Sequence, residues 1–172
     1  ADRTAEIARA HGARVVQHAL AGNWGAQQTF AIKEARHPWV FFIDADERAS
    51  KKLQTLVKQI VAEDDRKFAY LNARLHYFWE HPLRYGGWFP DYVVRLLPKK
   101  GTYVTGFVHP AFHHDYVEKK LPKDAYMIHY PYRDWKHYFA KLNFYTTLAA
   151  EKMQKQGKRA HLVDFVMHPA WA

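Results

Sequence analysis

Apolar positions along this chain change period several times, and each change predicts an element. Asp2 or Thr4 caps a short helix running to about His11, with Gly12 as its stop, and Ala13 to Val16 then reads as a strand. Ala26 to Arg36 is helical in composition. After His37-Pro38 comes Trp39-Val40-Phe41-Phe42-Ile43, apolar without alternation, which predicts a central parallel strand buried on both faces. Leu53, Leu56, Val57, Ile60 and Val61 recur at helical spacing and lay one stripe of the next helix on the sheet. From Phe68 to Phe78 the period switches to two, with Ala69, Leu71, Ala73, Leu75 and Tyr77 forming the buried face of a long strand.

Trp79 to Pro131 is rich in proline and glycine, with only short runs such as Tyr92 to Leu97, the pattern of an irregular region that builds a site. Trp135, Tyr138, Phe139, Leu142, Tyr145, Ala149 and Met153 then mark a long amphipathic helix from Asp134 to Gln156, stopped by Gly157. Alternating helices and strands in the first half, with mixed strands added later, predict an α/β fold in which ligands bind at the carboxyl ends of the strands.

At 172 residues the chain is one domain, 1–172, with one core. Its 48% hydrophobic and 25% charged residues exclude a disordered segment. The aromatic share of 16% crowds between Phe68 and Trp135, where flat faces either pack or stack on sugar rings. A net charge of +9 attracts phosphate in some form: nucleic acid, anionic membrane or a phosphorylated substrate. The basic residues are scattered (Lys51-Lys52, Lys99-Lys100, Lys119-Lys120, Lys152 to Arg159), so specific nucleic-acid binding is not expected and a solvated or membrane-facing surface is. Without cysteine there is neither disulfide nor thiolate metal site. With no apolar run near the roughly 20 residues of a spanning helix, the chain is expected to be soluble or peripheral.

Asp44 and Asp46 fall where the apolar strand ends, which places two hard oxygen ligands at the sheet edge, suited to Mg²⁺ or Mn²⁺ beside a diphosphate. For a bare Asp-X-Asp a capped turn before the Lys51 helix is the commoner case, and it is the context of this one that favours a ligand site. His109, His113 and His114 have no standard zinc spacing and read as loop or core histidines.

The run from Trp39 through Asp44-Ala45-Asp46-Glu47 resembles the strand and Asp-Ala-Asp-Glu motif of glycosyltransferase family 2. Asp2-Arg3-Thr4 resembles the end of that family's Asp-Ser-Gly-Ser-Thr-Asp-Arg-Thr loop, and Trp24-Gly25 with Phe30-Ala31 the helix before the metal strand. Gly86-Gly87-Trp88-Phe89-Pro90-Asp91, with Arg95-Leu96, resembles the acceptor-side segment of the branch containing lipopolysaccharide core glucosyltransferases. The resemblance implies a GT-A, Rossmann-like mixed sheet flanked by helices. It also implies an inverting, metal-dependent transfer of a hexose from a nucleotide sugar, UDP-glucose in that branch, to lipopolysaccharide core or a related glycan. The place implied is the inner face of the cytoplasmic membrane, peripherally bound in the cytoplasm.

Role by role, Asp46 and Asp44 hold the metal and donor diphosphate, Asp44 nearer the ribose, and Asp91 is the general base or else a turn residue after Pro90. His129 resembles a late histidine that completes metal or phosphate contacts, with a structural role as the alternative. Arg95 and Arg133 pair with phosphate through their guanidinium forks or lie on a solvated face, the commoner place for an arginine, and Trp88 stacks on the acceptor sugar or anchors packing.

The family's first strands, which carry part of the nucleotide pocket, would lie before residue 1, and a basic, apolar tail after residue 172; the chain therefore reads as an internal fragment of a longer enzyme, and catalysis is expected of that enzyme and not of the fragment by itself. Pro110 follows Val108-His109 where many relatives have Glu, and Thr29 stands where they often have Asn. A non-catalytic fragment that binds anionic glycan or lipid is the competing expectation.

Overall fold

Among the described residues, three of the four helices begin where a side chain takes over an orphan backbone N–H. The computed structural model describes residues 2–106 and 110–158; Val108, His109, Arg159 and the closing run 168–172 lie outside the described residues. Helix α1 is Thr4–Ala10, preceded by Asp2 accepting from the Thr4 N–H, and Gly12 follows at φ 78°. Helix α2 is Trp24–Glu34, capped by Asn23 Oδ1 on the Ala26 N–H at 2.9 Å. Ser50 Oγ caps α3, Lys51–Glu63, and Asp134 Oδ1 caps α4, Trp135–Lys155, which Gly157 follows at φ 72°. The cap of α3 is thus Ser50, which leaves the carboxylates of Asp44 and Asp46 for other work.

The strands are β1 Trp39–Phe41, β2 Glu47–Ala49, β3 Phe68–Phe78, β4 His81–Pro82, β5 Asp91–Pro98, β6 Tyr103–Thr105, β7 Ala111–His113, β8 Val117–Lys120 and β9 Tyr126–His129. Among the described residues seven of them form one mixed sheet in the order β1-β5-β3-β9-β2, with β4 and β8 also paired to β3, while β6 and β7 form a separate hairpin. The fold is therefore α/β with a mixed sheet flanked by helices.

Four expectations are corrected. Residues 13–16 form no strand; this stretch is held instead by Arg14, which pairs with the Glu34 carboxylate at 2.9 Å. Strand β1 is not a central parallel strand but the edge of the order, antiparallel to β5, with Phe41 opposite Leu96. An apolar run reports burial and is silent on partners.

Strand β3 is buried on both faces, not one, because it is the central strand: β5 pairs antiparallel with it, and β8 and β9 pair parallel with its successive halves. The region after Trp79, expected to be irregular apart from short runs such as Tyr92 to Leu97, holds six strands among the described residues, β5 covering that run. Their pairing, and not their own propensity, makes them strands.

The core lies between α3 and the sheet: Leu53 and Ile60 meet Trp39, Tyr70, Leu96, Leu121, Ala125 and Met127. Leu53 and Leu96 are nearly wholly removed from water, each contributing roughly 1.5–3 kcal/mol. Gly25 lets α2 approach β6 closely, since a Cβ there would stand 2.6 Å from the Thr105 carbonyl carbon. Thr29 fixes the contact, donating to the Val104 carbonyl at 2.9 Å and accepting from its N–H at 2.8 Å. Helix α4 keeps its apolar stripe exposed over the described residues, while Trp135 and Tyr138 pack edge-on against Phe78.

Candidate active site

Register brings the site together. Across the sheet Arg74 stands opposite Asp91 on β5, and His76 opposite His129 on β9, which is itself opposite Glu47 on β2. Between β3 and β5 the register jumps from Leu96 to Val94, so Arg95 is the extra residue of a bulge. Its guanidinium turns to the Asp44-Ala45-Asp46-Glu47 turn.

That turn is locked from within. The Glu47 N–H donates to the Asp44 carbonyl and the Asp44 N–H to the Glu47 carboxylate, both at 3.0 Å. Arg95 Nη2 then donates to Asp44 Oδ2 at 2.7 Å and to Glu47 Oε1 at 2.5 Å. Glu47, 1% exposed, is the buried counter-ion of Arg95, and Arg74 approaches it at 3.8 Å. Asp44 and Asp46 remain about half exposed at the carboxyl side of β1, and the Tyr130 N–H holds the Asp46 carbonyl at 2.9 Å.

Asp91 opens β5 after a cis Phe89–Pro90 peptide. Its Oδ2 accepts from Arg74 Nε at 2.9 Å, from Arg74 Nη2 at 2.6 Å, and from His76 Nε2 at 3.1 Å. The hydrogen bond from His76, reinforced by Arg74, holds the Asp91 carboxyl at about 2 against its burial. Asp91, His76, Trp88, Pro90, Tyr92 and the left-handed pair Gly86-Gly87 line an open cavity of about 450 Å³. Trp88 is 43% exposed there, edge-on to His76.

On the other side of His76, its Nδ1 lies 3.0 Å from His129 Nδ1, and His129 Nε2 lies 3.4 Å from Asp46 Oδ2. Burial pushes the His129 imidazole down to about 4, against the pull of Asp46, so it is neutral at pH 7. One polar chain therefore runs Asp91, His76, His129, Asp46.

Four carboxylates (Asp44, Asp46, Glu47, Asp91) meet two guanidiniums (Arg74, Arg95). The carboxylates outnumber the guanidiniums by two, a balance that suits a divalent cation. Asp46 and His129 fit such an ion as one oxygen and one nitrogen ligand. Among the described residues no group of three metal-binding side chains occurs, and a metal bound by one or two side chains completes its shell with phosphate and water. Asp44 has its Oδ2 engaged by Arg95, which orients a carboxylate that is otherwise half exposed.

Of the residues singled out in the sequence, Asp44, Asp46, Asp91, Arg95 and His129 meet in this network, and Trp88 lines the cavity beside Asp91. Arg133 does not join it: it is exposed before α4, where its backbone N–H donates to His137 Nδ1. His113 bonds Thr105 Oγ1 at 2.7 Å in the β6–β7 hairpin, and the His114 side chain is buried near Glu118. Sequence reasoning missed Glu47, Arg74 and His76. The last two share a face of β3 with buried Asn72, and three polar residues at period two in an apolar strand are the signal that marks them.

Residues 1–114, about two thirds of the chain, match the model described as glycosyl transferase family 2. An uncharacterized glycosyltransferase of Rickettsia bellii is 29% identical over 181 residues, covering 99% of this chain and 61% of that protein. An uncharacterized glycosyltransferase of Rickettsia felis is 31% identical over 172 residues, 92% of this chain and 59% of that protein. The lipopolysaccharide core biosynthesis glycosyltransferase LpsC of Rhizobium meliloti is 27% identical over 155 residues, 85% of this chain and 54% of that protein. The chain spans about three fifths of the length of the curated relatives it matches.

Proposed function

The chain belongs to glycosyltransferase family 2, and from that premise we propose that the protein carrying it moves a hexose from a nucleotide sugar to a lipopolysaccharide core or related glycan, by one inverting displacement that requires Mg²⁺ or Mn²⁺. UDP-glucose is the donor this reading favours. The observation that carries it is the polar chain from Asp91, at the mouth of a cavity beside Trp88, through His76 and His129 to Asp46.

In this reading the acceptor sugar lies on Trp88, above the Gly86-Gly87 turn. Asp91, ionised throughout the physiological range, accepts the proton of the acceptor hydroxyl as its oxygen bonds to the anomeric carbon. The bond from that carbon to the donor phosphate breaks on the opposite face, and its electron pair leaves with the nucleotide diphosphate. A carboxylate held near 2 is a weak base, and an acceptor hydroxyl that displaces one of its three donors raises its basicity as the proton moves.

Asp46 and His129 hold the divalent ion, whose chemistry is to neutralise the diphosphate. Arg95 keeps Asp44 aimed at the donor ribose, and exposed Arg133 supplies a mobile charge for phosphate. The net charge of +9 and the name borne by LpsC support an anionic glycan acceptor at the inner membrane surface. Asp91→Asn tests the reading: transfer falls roughly 10²–10⁴-fold while UDP and Mn²⁺ still bind. Unchanged transfer removes Asp91 as the base.

A second reading, non-catalytic binding of anionic glycan or lipid headgroups, is favoured by the exposed aromatic stripe of α4 among Lys136, Lys141, Lys152 and Lys155. Calorimetry separates the two. Salt-sensitive binding to anionic vesicles with no affinity for UDP and Mn²⁺ supports the second.

A further inference from the structure

We propose that His76 is a positioning residue that joins the two halves of this site, holding the acceptor-side carboxylate of Asp91 with one ring nitrogen and fixing the tautomer of His129 with the other. The proposal rests on the reading above, in which Asp91 serves the acceptor and Asp46 with His129 serve the donor's cation.

The argument is one of hydrogen-bond direction. Asp91 Oδ2 belongs to an ionised carboxylate and can only accept, so His76 Nε2, at 3.1 Å, carries a proton and donates. With its ring proton on Nε2, His76 presents a lone pair at Nδ1. The atom facing it at 3.0 Å is His129 Nδ1, which must in turn carry a proton. With its ring proton on Nδ1, His129 presents a lone pair at Nε2, and that lone pair faces the Asp46 carboxylate at 3.4 Å.

Two acceptors then look at each other with no proton between them. Such a gap is filled by a cation, and the histidine that creates it belongs to neither ligand.

Burial makes the arrangement rigid. The His76 side chain is only 10% exposed, its ring packs edge-on to both Trp88 and His129, and the parallel register sets His76 directly opposite His129. A hydrogen-bonded neighbour that fixes the tautomer of a ligating imidazole commonly accounts for a 10–100-fold difference in metal affinity. His76 differs from an ordinary neighbour of this kind in that its other nitrogen is bound to Asp91, so the base and the cation site share one ring. A displacement of the ring is felt at both.

Two measurements on the intact protein test this. Long-range proton–nitrogen NMR of the wild type is expected to show His129 protonated on Nδ1, the tautomer that a free histidine side chain disfavours; protonation on Nε2 overturns the proposal without any variant. The second is Mn²⁺ affinity, followed by the loss of free-ion electron paramagnetic resonance signal. His76→Phe is expected to weaken Mn²⁺ binding roughly 10–100-fold and to lower kcat as well. His76→Gln, which keeps one donor and one acceptor, is expected to recover most of the affinity. Wild-type affinity in His76→Phe, in a protein where Asp46→Ala has lost it, overturns the proposal and leaves the metal-dependent reading intact. Absence of Mn²⁺ binding in the wild type sinks the metal-dependent reading and the coupling with it, whichever tautomer His129 adopts.

Discussion

The guanidinium of Arg95 lies 2.5 Å from the carboxylate of Glu47, and neither side chain is more than 7% exposed. This pair pins the Asp44-Ala45-Asp46-Glu47 turn to the bulge in β5 and so sets the direction in which Asp44 and Asp46 point. Breaking it strands a charge in the interior. Arg95→Met is expected to lower stability by about 3–5 kcal/mol, as for other buried pairs deprived of one partner, read as the fall in urea midpoint. Because Asp44 loses its partner too, nucleotide affinity is expected to fall with it; a stable Arg95→Met protein removes the pair from the account of the turn.

The close approach of α2 to β6 depends on Gly25. In Gly25→Ala the new Cβ meets backbone, the Thr105 carbonyl carbon at 2.6 Å and the Gly106 nitrogen at 2.9 Å, and backbone does not swing aside. Overpacking of this kind costs about 1–3 kcal/mol, so thermal unfolding of Gly25→Ala is expected at lower temperature than wild type. Substitution at exposed Gln54 on α3 is expected to have little effect on the same scale.

Acid weakens the site in a defined window. The folded-state pKa of His129 is depressed to about 4 by burial, below its ordinary value of 6.5. Between those values the unfolded chain binds a proton that the folded chain does not, so stability is complete above 6.5 and declines as pH falls toward 4. Asp91, depressed to about 2 chiefly by His76, acts lower: its contribution is present above its ordinary value and is lost as pH falls through 2. Urea midpoints measured from pH 7 to pH 4 are expected to fall for the wild type and to fall less for His129→Gln. Parallel slopes for the two proteins contradict the assignment.

Periodicity alone revealed β3, α3 and α4, because each is long enough for its period to repeat and each ends on a residue with a local reason to end it. It misplaced β1, since Trp39 to Ile43 has the same apolar run whether it is central or, as here, paired on one side by β5. It passed over β8, whose Val117–Lys120 is wholly exposed and half lysine, and which is a strand because Phe68–Leu71 offers it a ladder.

The site divides along the same line. Asp44, Asp46, Asp91 and His129 were legible as motif positions. Glu47, Arg74 and His76 owe their roles to register across four strands, which no local window contains. Arg95 was visible, but its duty to Glu47 depends on the bulge that turns it inward.

Asp46, across from His129, is proposed to hold the cation on which sugar transfer depends. The most direct measurement is calorimetry of UDP with Mn²⁺ on the intact protein and on Asp46→Ala, paired with transfer from UDP-glucose with and without a chelator. The account predicts Mn²⁺-dependent UDP binding and chelator-sensitive transfer in the wild type, and loss of both in an Asp46→Ala protein that keeps its fold. Transfer that persists in chelator, or in Asp46→Ala, contradicts it.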